Sequence, residues 1–307
     1  MPDQDSQGEH MEYYVSIDIG GTSIKYGILT VDGEILEKSS IDTEASKGGS
    51  ALKRKVFRII QQYQERYLLS GVCISTAGMV DCEKGEVFFA GALIPEYQGT
   101  KWKESIEKEF SLPCEVENDV NCAGLAEYKT GAARKSRVAV CLTVGTGIGG
   151  CALIDGKVFH GYSSCAMEIG YMYAGEEDFQ TLGAASILSR KTAERKGDPI
   201  EAWNGIRVFE AAKAGDEICR NAIDEMCDVL GRGIADICYV LNPEVVVLGG
   251  GIMAQKEYLR PRLEAALAAY LKPVICAHTR LEFAYHQNDA GMRGAFYHFM
   301  DRQKAGK

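Results

Sequence analysis

The sequence predicts an α/β protein of two domains with a cleft between them. Its 307 residues suffice for one large domain or two ordinary ones. Residues 13–39 contain a strand, a glycine turn, a strand, an Asp-Gly turn and a third strand, and the same order recurs in residues 137–160. Strand and helix patterns alternate after each copy, as is typical of α/β domains. We therefore interpret the two segments as an internal repeat of one supersecondary unit.

The elements between and after the copies follow from hydrophobic periodicity. The predicted helices cover 50–68, 101–110, 118–130, 184–196, 206–214, 216–241, 256–271 and the chain from about 289; the further strands cover 71–76, 114–116, 245–251 and 280–285. We expect a smaller first domain over 11–122, with the C-terminal helix 290–307 packing back on it, and a larger second domain over 123–289.

Composition excludes several classes of protein. The chain is 46% hydrophobic and 25% charged, as is ordinary for a globular protein, and its net charge of −9 argues against a general nucleic-acid or anionic-membrane binder. The eleven cysteines contain no C-x-x-C pair and favour a reducing cytoplasm over a disulfide framework. No apolar run reaches the ~20 residues of a membrane helix. The polar residues 1–10 are expected to be disordered.

Three glycine turns are candidates for holding phosphate, since a Cβ atom would obstruct the close approach of backbone N–H groups. They are DIGGTSIK (18–25), TVGTGIGG (143–150) and LGGGIM (248–253). The second turn matches G-x-G-x-x-G, but a strand follows it where a dinucleotide-binding turn would open a helix. We therefore predict one β-turn-β phosphate clamp on each domain. Asp18 ends the first strand and is placed to hold a hydrated Mg²⁺. Lys25 either has a nucleotide-binding or structural charge role or is an outward-facing strand lysine.

Asn118 and Asp119 stand together where a helix is predicted to begin. Helix capping explains the pair by itself, because Asn and Asp accept hydrogen bonds from the free N–H groups of a first turn. The alternative hypothesis is that Asp119 accepts a proton from a substrate hydroxyl group while Asn118 holds the substrate. The two roles are compatible.

Six stretches together resemble the ROK family of repressors, uncharacterised frames and sugar kinases, within the actin/hexokinase/Hsp70-like superfamily. They are DIGGTSIK, ENDVNCAGLAE, TVGTGIGG, AMEIGYM, EAAKAGD and VVVLGGGI, which occur in the family's order over about residues 13–300. The resemblance implies two ribonuclease-H-like domains, ATP and Mg²⁺ as cofactors, and phosphoryl transfer to a sugar hydroxyl group, usually O6.

Site residues follow from the resemblance position by position. Asp119 matches the catalytic base, Asn118 its sugar-binding neighbour, and Glu168 the glutamate that binds ring hydroxyl groups. Tyr171 and Gly78 complete the predicted sugar site. The predicted nucleotide site comprises Asp18, Gly20, Gly21, Thr22, Lys25, Gly145, Thr146, Gly147, Gly249, Gly250 and Gly251.

The chain departs from the family pattern at its zinc motif. Family members with structural zinc have a histidine after Glu-Ile-Gly and a cysteine-rich stretch beyond it, whereas here Tyr171 follows and residues 172–185 contain no cysteine. We therefore predict no zinc site. Leu182 lies near the position of a glutamate that contacts the anomeric hydroxyl group in many glucokinases, and Ala77 replaces a usual proline.

Fewer polar partners near C1 would tolerate a substituent there. A β-glucoside of the cellobiose type, or glucose, is therefore the expected acceptor, and N-acetylmannosamine is an alternative. A rival of another class is a non-catalytic ROK sugar sensor. DNA binding is not expected, because only about twelve residues precede the first strand. We expect a cytoplasmic homodimer whose partners are ATP and a small sugar, with no nucleic acid or membrane.

Overall fold

The computed structural model describes residues 11–305. Residues 1–10, for which the sequence predicts disorder, lie outside the described residues. The chain forms two compact units. The first holds the chain up to Ala126, Tyr162–Ser164 and the chain from Asn288 onward; the second holds Glu127–Gly161 and Cys165–Gln287.

The strands of the described part are, in chain order, β1 (Tyr13–Ile19), β2 (Ser23–Thr30), β3 (Ile35–Asp42), β4 (Leu69–Thr76), β5 (Met79–Asp81), β6 (Glu86–Phe89), β7 (Thr100–Lys101), β8 (Cys114–Asn118), β9 (Val138–Val144), β10 (Ile148–Ile154), β11 (Lys157–Val158), β12 (Val245–Gly249) and β13 (Arg280–Phe283). The α-helices are α1 (Gly48–Gln64), α2 (Trp102–Phe110), α3 (Asp119–Thr130), α4 (Phe179–Gly183), α5 (Ala185–Lys196), α6 (Gly205–Lys213), α7 (Glu217–Leu241), α8 (Lys256–Tyr270), α9 (Pro273–Cys276) and α10 (Ala290–Ala305). Short 3-10 helices lie at Ala45–Lys47, Ile169–Tyr171, Ile200–Ala202, Gly251–Gln255 and Gln287–Asp289.

The two units contain sheets of the same topology. In the first unit the strand order is β3-β2-β1-β4-β8, and in the second it is β11-β10-β9-β12-β13. In both, the first three strands in sequence form an antiparallel meander and the last two run parallel to the central strand. The internal repeat predicted from the duplicated glycine and Asp-Gly turns is therefore confirmed.

A third sheet in the first unit, of order β5-β6-β7, has no counterpart among the predicted elements. Its strands are only two to four residues long, and a register shift interrupts the pairing of β5 with β6. Segments this short show no recognisable alternation of apolar and polar residues, so hydrophobic periodicity cannot detect them.

Local signals place the long helices within a few residues of their observed ends. Helix α7 was predicted over 216–241 and spans Glu217–Leu241. The Asp216 carboxylate caps its start by accepting a hydrogen bond from the Cys219 N–H, and Asn242 ends it in the left-handed conformation (φ 46°). The apolar face of α7 is buried in the core of the second unit.

The eleven cysteines all lie within the described residues and form no disulfide bond, and nine of them are buried, as expected for small core residues. Within residues 11–305, no helix is both long enough and apolar enough to cross a bilayer.

Helix α10 packs on the sheet of the first unit, although it follows the second unit in sequence. The Ser16 hydroxyl group donates a 2.8 Å hydrogen bond to the Met292 carbonyl oxygen, and Phe296 and Phe299 pack against Tyr14. At Gly294 the helix meets the backbone of Cys122 in α3 so closely that a Cβ atom would overlap the Cys122 carbonyl oxygen. This close approach requires glycine.

Gly294→Ala is therefore expected to destabilise the protein by at least about 1 kcal/mol, although alanine favours a helix interior by about that amount over glycine. The overlap with a backbone carbonyl group cannot be relieved by a side-chain rotation, so the helices must separate. Urea denaturation measures the change, and Gly91→Ala is the control because no atom of the described residues lies within 4 Å of a Cβ there. Equal urea midpoints for Gly294→Ala and Gly91→Ala would contradict the prediction.

Candidate active site

The junction of β8 and α3 holds the Asn118–Asp119 pair. Asn118 Oδ1 accepts hydrogen bonds from the N–H groups of Val120 (2.9 Å) and Asn121 (3.1 Å), so Asn118 caps the helix. Asp119 Oδ1 accepts from the Val120 N–H group (2.9 Å) and from Asn118 Nδ2 (3.0 Å). Both side chains are partly exposed. Capping is thus carried out by Asn118, while two donors orient the Asp119 carboxylate at the positive end of the helix dipole.

The loop after β4 supports Asn118 from the other side. The Gly78 carbonyl oxygen accepts a 2.9 Å hydrogen bond from Asn118 Nδ2, over a separation of 40 residues. Gly78 has φ +101°, and a Cβ atom there would lie 2.8 Å from the Phe89 carbonyl oxygen. Gly78 is therefore required by the backbone, and it acts on Asn118 through a main-chain contact.

Asp18 lies near the end of β1 beside two polar partners. Its Oδ1 accepts a 2.7 Å hydrogen bond from the Ser75 hydroxyl group, and its Oδ2 lies 3.8 Å from Lys25 Nζ on the facing strand. Burial raises the pKa of the Asp18 carboxyl group above its ordinary value, and the Ser75 bond and the Lys25 charge oppose that rise. Such a carboxylate suits a hydrated Mg²⁺, whose charge would favour the ionised form.

Three carboxylates of the first unit gather around the start of α3. The buried Cys122 thiol lies within electrostatic reach of Glu117, Asp18 and Asp119, and these negative charges, after burial, raise its pKa. The chain thus places carboxylates from the ends of two strands and the first turn of one helix in a single region.

The first glycine turn connects β1 to β2. It is closed by a 3.0 Å hydrogen bond from the Gly20 N–H to the Ser23 carbonyl oxygen, and the Thr43 hydroxyl group donates to the Gly20 carbonyl oxygen at 2.7 Å. A Cβ atom on Gly21 would overlap the Leu93 side chain. Thr22 is exposed at the tip of the turn, where its hydroxyl group can reach a ligand.

The second turn connects β9 to β10 and has free space beside it. The Gly145 N–H donates to the Gly147 carbonyl oxygen at 2.9 Å, and the Ser186 hydroxyl group donates to the carbonyl oxygen of the exposed Thr146 at 2.7 Å. A Cβ atom on Gly145 would meet no described atom within 4 Å. Internal packing therefore does not explain this glycine, whereas the close approach of a ligand would.

The glycines that follow β12 differ in what surrounds them. Gly250 has φ +103°, and a Cβ atom there would overlap the backbone of Val144, so the fold requires this glycine. A Cβ atom added at Gly251 would have no described atom within 4 Å. A Cβ atom added at Gly249 would lie 3.5 Å from its nearest described atom. The open position Gly251 resembles Gly145, and both fit a cradle for phosphate oxygens.

Glu168 precedes the short 3-10 helix Ile169–Tyr171 in the second unit. Burial alone raises the pKa of its carboxyl group; no hydrogen bond or ion pair from another described residue is among the causes. Tyr171 is 55% exposed, and its N–H group donates to the Glu168 carbonyl oxygen at 3.2 Å. A half-buried carboxylate of this kind can accept hydrogen bonds from ligand hydroxyl groups.

Two neighbours of these residues escape sequence analysis. Ser75 reaches Asp18 only because β4 pairs with β1 in parallel register. The Gln180 side chain lies over the second turn, with its Oε1 2.6 Å from where a Cβ atom on Gly147 would be. No local motif marks either residue, so neither could be found without the strand pairing and the packing of α4.

The duplicated sheets, the glycine turns and the helix-start carboxylate define the class of hexokinase-like ATPases. A model of the ROK family matches residues 14–302, and the chain belongs to that family.

Three relatives show how far the similarity extends. An uncharacterised protein of Clostridium perfringens (CPE0188) is 47% identical over 95% of this chain and 99% of its own. A beta-glucoside kinase of Listeria monocytogenes is 32% identical over 94% and 97% of the two chains. The solved structure of a ROK family protein from Streptococcus pneumoniae in complex with sucrose has a TM-score of 0.84 and 29% identity, covering 95% of this chain and 99% of its own. The fold class and family expected from the sequence are confirmed.

Proposed function

We propose that this ATP-dependent carbohydrate kinase transfers the γ-phosphoryl group of ATP to the C6 hydroxyl group of a β-glucoside. The observation that carries the proposal is the Asn118–Asp119 pair, in which the capping residue also orients a carboxylate at the start of α3. The helix dipole favours the ionised form of a carboxylate at this position, as a general base requires.

In the first unit, Asp119 takes the proton from the acceptor hydroxyl group as its oxygen attacks phosphorus. Asn118 binds the sugar, and Gly78 holds Asn118 in place through its carbonyl oxygen. Phosphoryl transfer requires little covalent chemistry from a protein beyond placing the nucleophile in line and stabilising charge on the phosphoryl oxygens. The acceptor oxygen forms a bond to the γ-phosphorus as the bond to the leaving ADP oxygen breaks, and the hydroxyl proton passes to Asp119.

The glycine turns are the proposed phosphate-binding elements of each unit, because their missing Cβ atoms let phosphate oxygens approach the backbone. Gly20, Gly21 and Thr22 act in the first unit, and the turns at 145–147 and 249–251 act in the second. Asp18 would hold a hydrated Mg²⁺, with Lys25 as its charge partner. A bound Mg²⁺ neutralises part of the phosphate charge, which a chain of net charge −9 otherwise disfavours.

Glu168 accepts hydrogen bonds from ring hydroxyl groups, and the exposed Tyr171 offers an aromatic face to the sugar. Two relatives support an acceptor larger than glucose: one is a beta-glucoside kinase, and the other was solved with sucrose. The homodimer and the cytoplasmic location remain predictions from the sequence.

Cellobiose and aryl-β-glucosides are expected to give a kcat/KM at least about tenfold above that of glucose, because the fewer polar partners predicted near C1 would gain little from a free anomeric hydroxyl group. Initial rates of ADP formation with glucose, cellobiose, an aryl-β-glucoside and N-acetylmannosamine measure the ratio. A sample without sugar is the control for plain ATP hydrolysis. If glucose or N-acetylmannosamine is used far better than every glucoside, the acceptor assignment is wrong.

A further inference from the structure

A buried polar cluster in the first unit contacts the backbone of Asn118 at the start of α3. Cys82, Glu117 and His298 are each buried, and one ligand-type atom from each lies within 4.8 Å of the others. They come from the segment after β5, the strand β8 and the helix α10. The proposed phosphoryl transfer does not use any of the three directly.

Glu117 is at the centre of this cluster, and its two oxygens face different partners. Oε1 accepts hydrogen bonds from the Asn118 N–H (2.8 Å) and from Asn121 Nδ2 (3.0 Å). Oε2 lies 3.4 Å from His298 Nδ1. The carboxylate is thus tied to the first turn of α3 on one side and to α10 on the other.

The Cys82 thiol lies within 4.8 Å of the same carboxylate, and it also donates a 4.0 Å hydrogen bond to the Val80 carbonyl oxygen. Burial, the charge of Glu117 and the hydrogen bond to Glu117 together raise the pKa of the Cys82 thiol, so the thiol stays protonated. A fully buried carboxylate is costly unless its oxygens are hydrogen-bonded. The thiol and the imidazole therefore stabilise the buried Glu117 carboxyl group beneath the helix turn.

We propose that Cys82, Glu117 and His298 form a positioning network that fixes the orientation of Asp119 for phosphoryl transfer. Glu117 holds the backbone of Asn118 and the side chain of Asn121, which bracket Asp119 in sequence. His298 and Cys82 hold Glu117. The proposal rests on the proposed function, since it assigns Asp119 the role of base.

The same three residue types could also ligate a thiophilic metal ion. Both oxygens of Glu117 already face protein donors at 2.8 Å, 3.0 Å and 3.4 Å, and these contacts account for the cluster without an ion. The metal content of the purified protein is therefore one outcome of the test.

His298→Leu and His298→Asn form the main test, because Asn retains a donor near the position of Nδ1 and Leu does not. We expect His298→Leu to lower kcat by about 10–100-fold with the KM for sugar within about twofold, since a small misplacement of a catalytic group is that costly. His298→Asn should restore most of kcat. His278→Leu, which changes an exposed histidine of the second unit, is the control.

Cys82→Val and Glu117→Gln test the network if His298→Leu fails to fold. Cys82→Val removes the thiol donor at nearly constant volume and should lower kcat several-fold; Glu117→Gln keeps Oε1 and should be milder than Glu117→Leu. Equal losses in His298→Leu and His298→Asn, or a change confined to KM, would overturn the proposal. Stoichiometric zinc that is lost in Cys82→Val and His298→Leu would also overturn it.

A double-mutant comparison separates this proposal from the proposed function. In an Asp119→Asn background, His298→Leu should reduce the residual turnover no further than about twofold, because the network acts through Asp119. An additive further loss shows that the network does not act through Asp119. Full turnover by Asp119→Asn alone would instead refute Asp119 as the base.

Discussion

Asp119→Asn is expected to lower turnover by about 10²–10⁴-fold, the usual contribution of a general base, with sugar affinity changed less than about threefold. The amide keeps the size of the side chain and can still accept hydrogen bonds from the Val120 N–H, so the turn is preserved. What is lost is the ability to take a proton from the acceptor hydroxyl group. ADP release measures turnover, and calorimetry measures sugar binding.

Glu217→Gln is a matched control, because Glu217 is the first residue of α7 as Asp119 is the first residue of α3. Loss of a favourable charge–dipole interaction costs each helix about 0.3–1 kcal/mol, so both variants should show similar small shifts in stability. Only Asp119→Asn should lose turnover. Unchanged turnover would remove Asp119 as the base, and turnover lost together with the folded state would leave Asp119 only a role in stabilising the start of α3.

Gly145→Ala and Gly251→Ala are expected to raise the KM for ATP at least about tenfold, equivalent to about 1.4 kcal/mol, without a change in stability. The protein itself has room for a methyl group at both positions, since no described atom lies within 4 Å of the added Cβ. The methyl group would instead occupy the space into which phosphate oxygens must come. ATP titrations at saturating sugar and Mg²⁺ measure the effect.

Gly250→Ala is the contrasting variant, because its Cβ atom would overlap the Val144 backbone in a left-handed conformation. It should lose stability by about 1–3 kcal/mol. Gly91→Ala should change neither the KM for ATP nor the stability. If Gly145→Ala and Gly251→Ala bind ATP as the unaltered chain does, these glycines do not form the phosphate cradle.

Most of the secondary structure was predictable because its signals are local. The duplicated turns gave the two meanders, and the predicted helix 101–110 is observed at Trp102–Phe110. The small sheet β5-β6-β7 was missed because its strands are too short to show periodicity. The Asn118–Asp119 pair was also recognisable locally, since a capping residue stands at a predicted helix start.

The contacts that make those residues a site could not be predicted in the same way. Lys25 left two interpretations open, and its position facing Asp18 favours the charge partner. The expectation of no zinc concerned a contiguous cysteine-rich stretch, whereas Cys82, Glu117 and His298 are far apart in sequence. Only the folding of the chain brings such groups within reach of one another.

The sequence by itself determined the order of the longer strands and helices, the repeated unit and the placing of a carboxylate at the start of α3. Each depends on interactions among residues a few positions apart, which hydrophobic spacing and capping preferences specify. The tertiary structure decided that Ser75 holds Asp18, that Gly78 holds Asn118 and that α10 places His298 beside Glu117. Those contacts join residues 40 or more positions apart, so strand register and helix packing, which no local pattern encodes, had to bring them together.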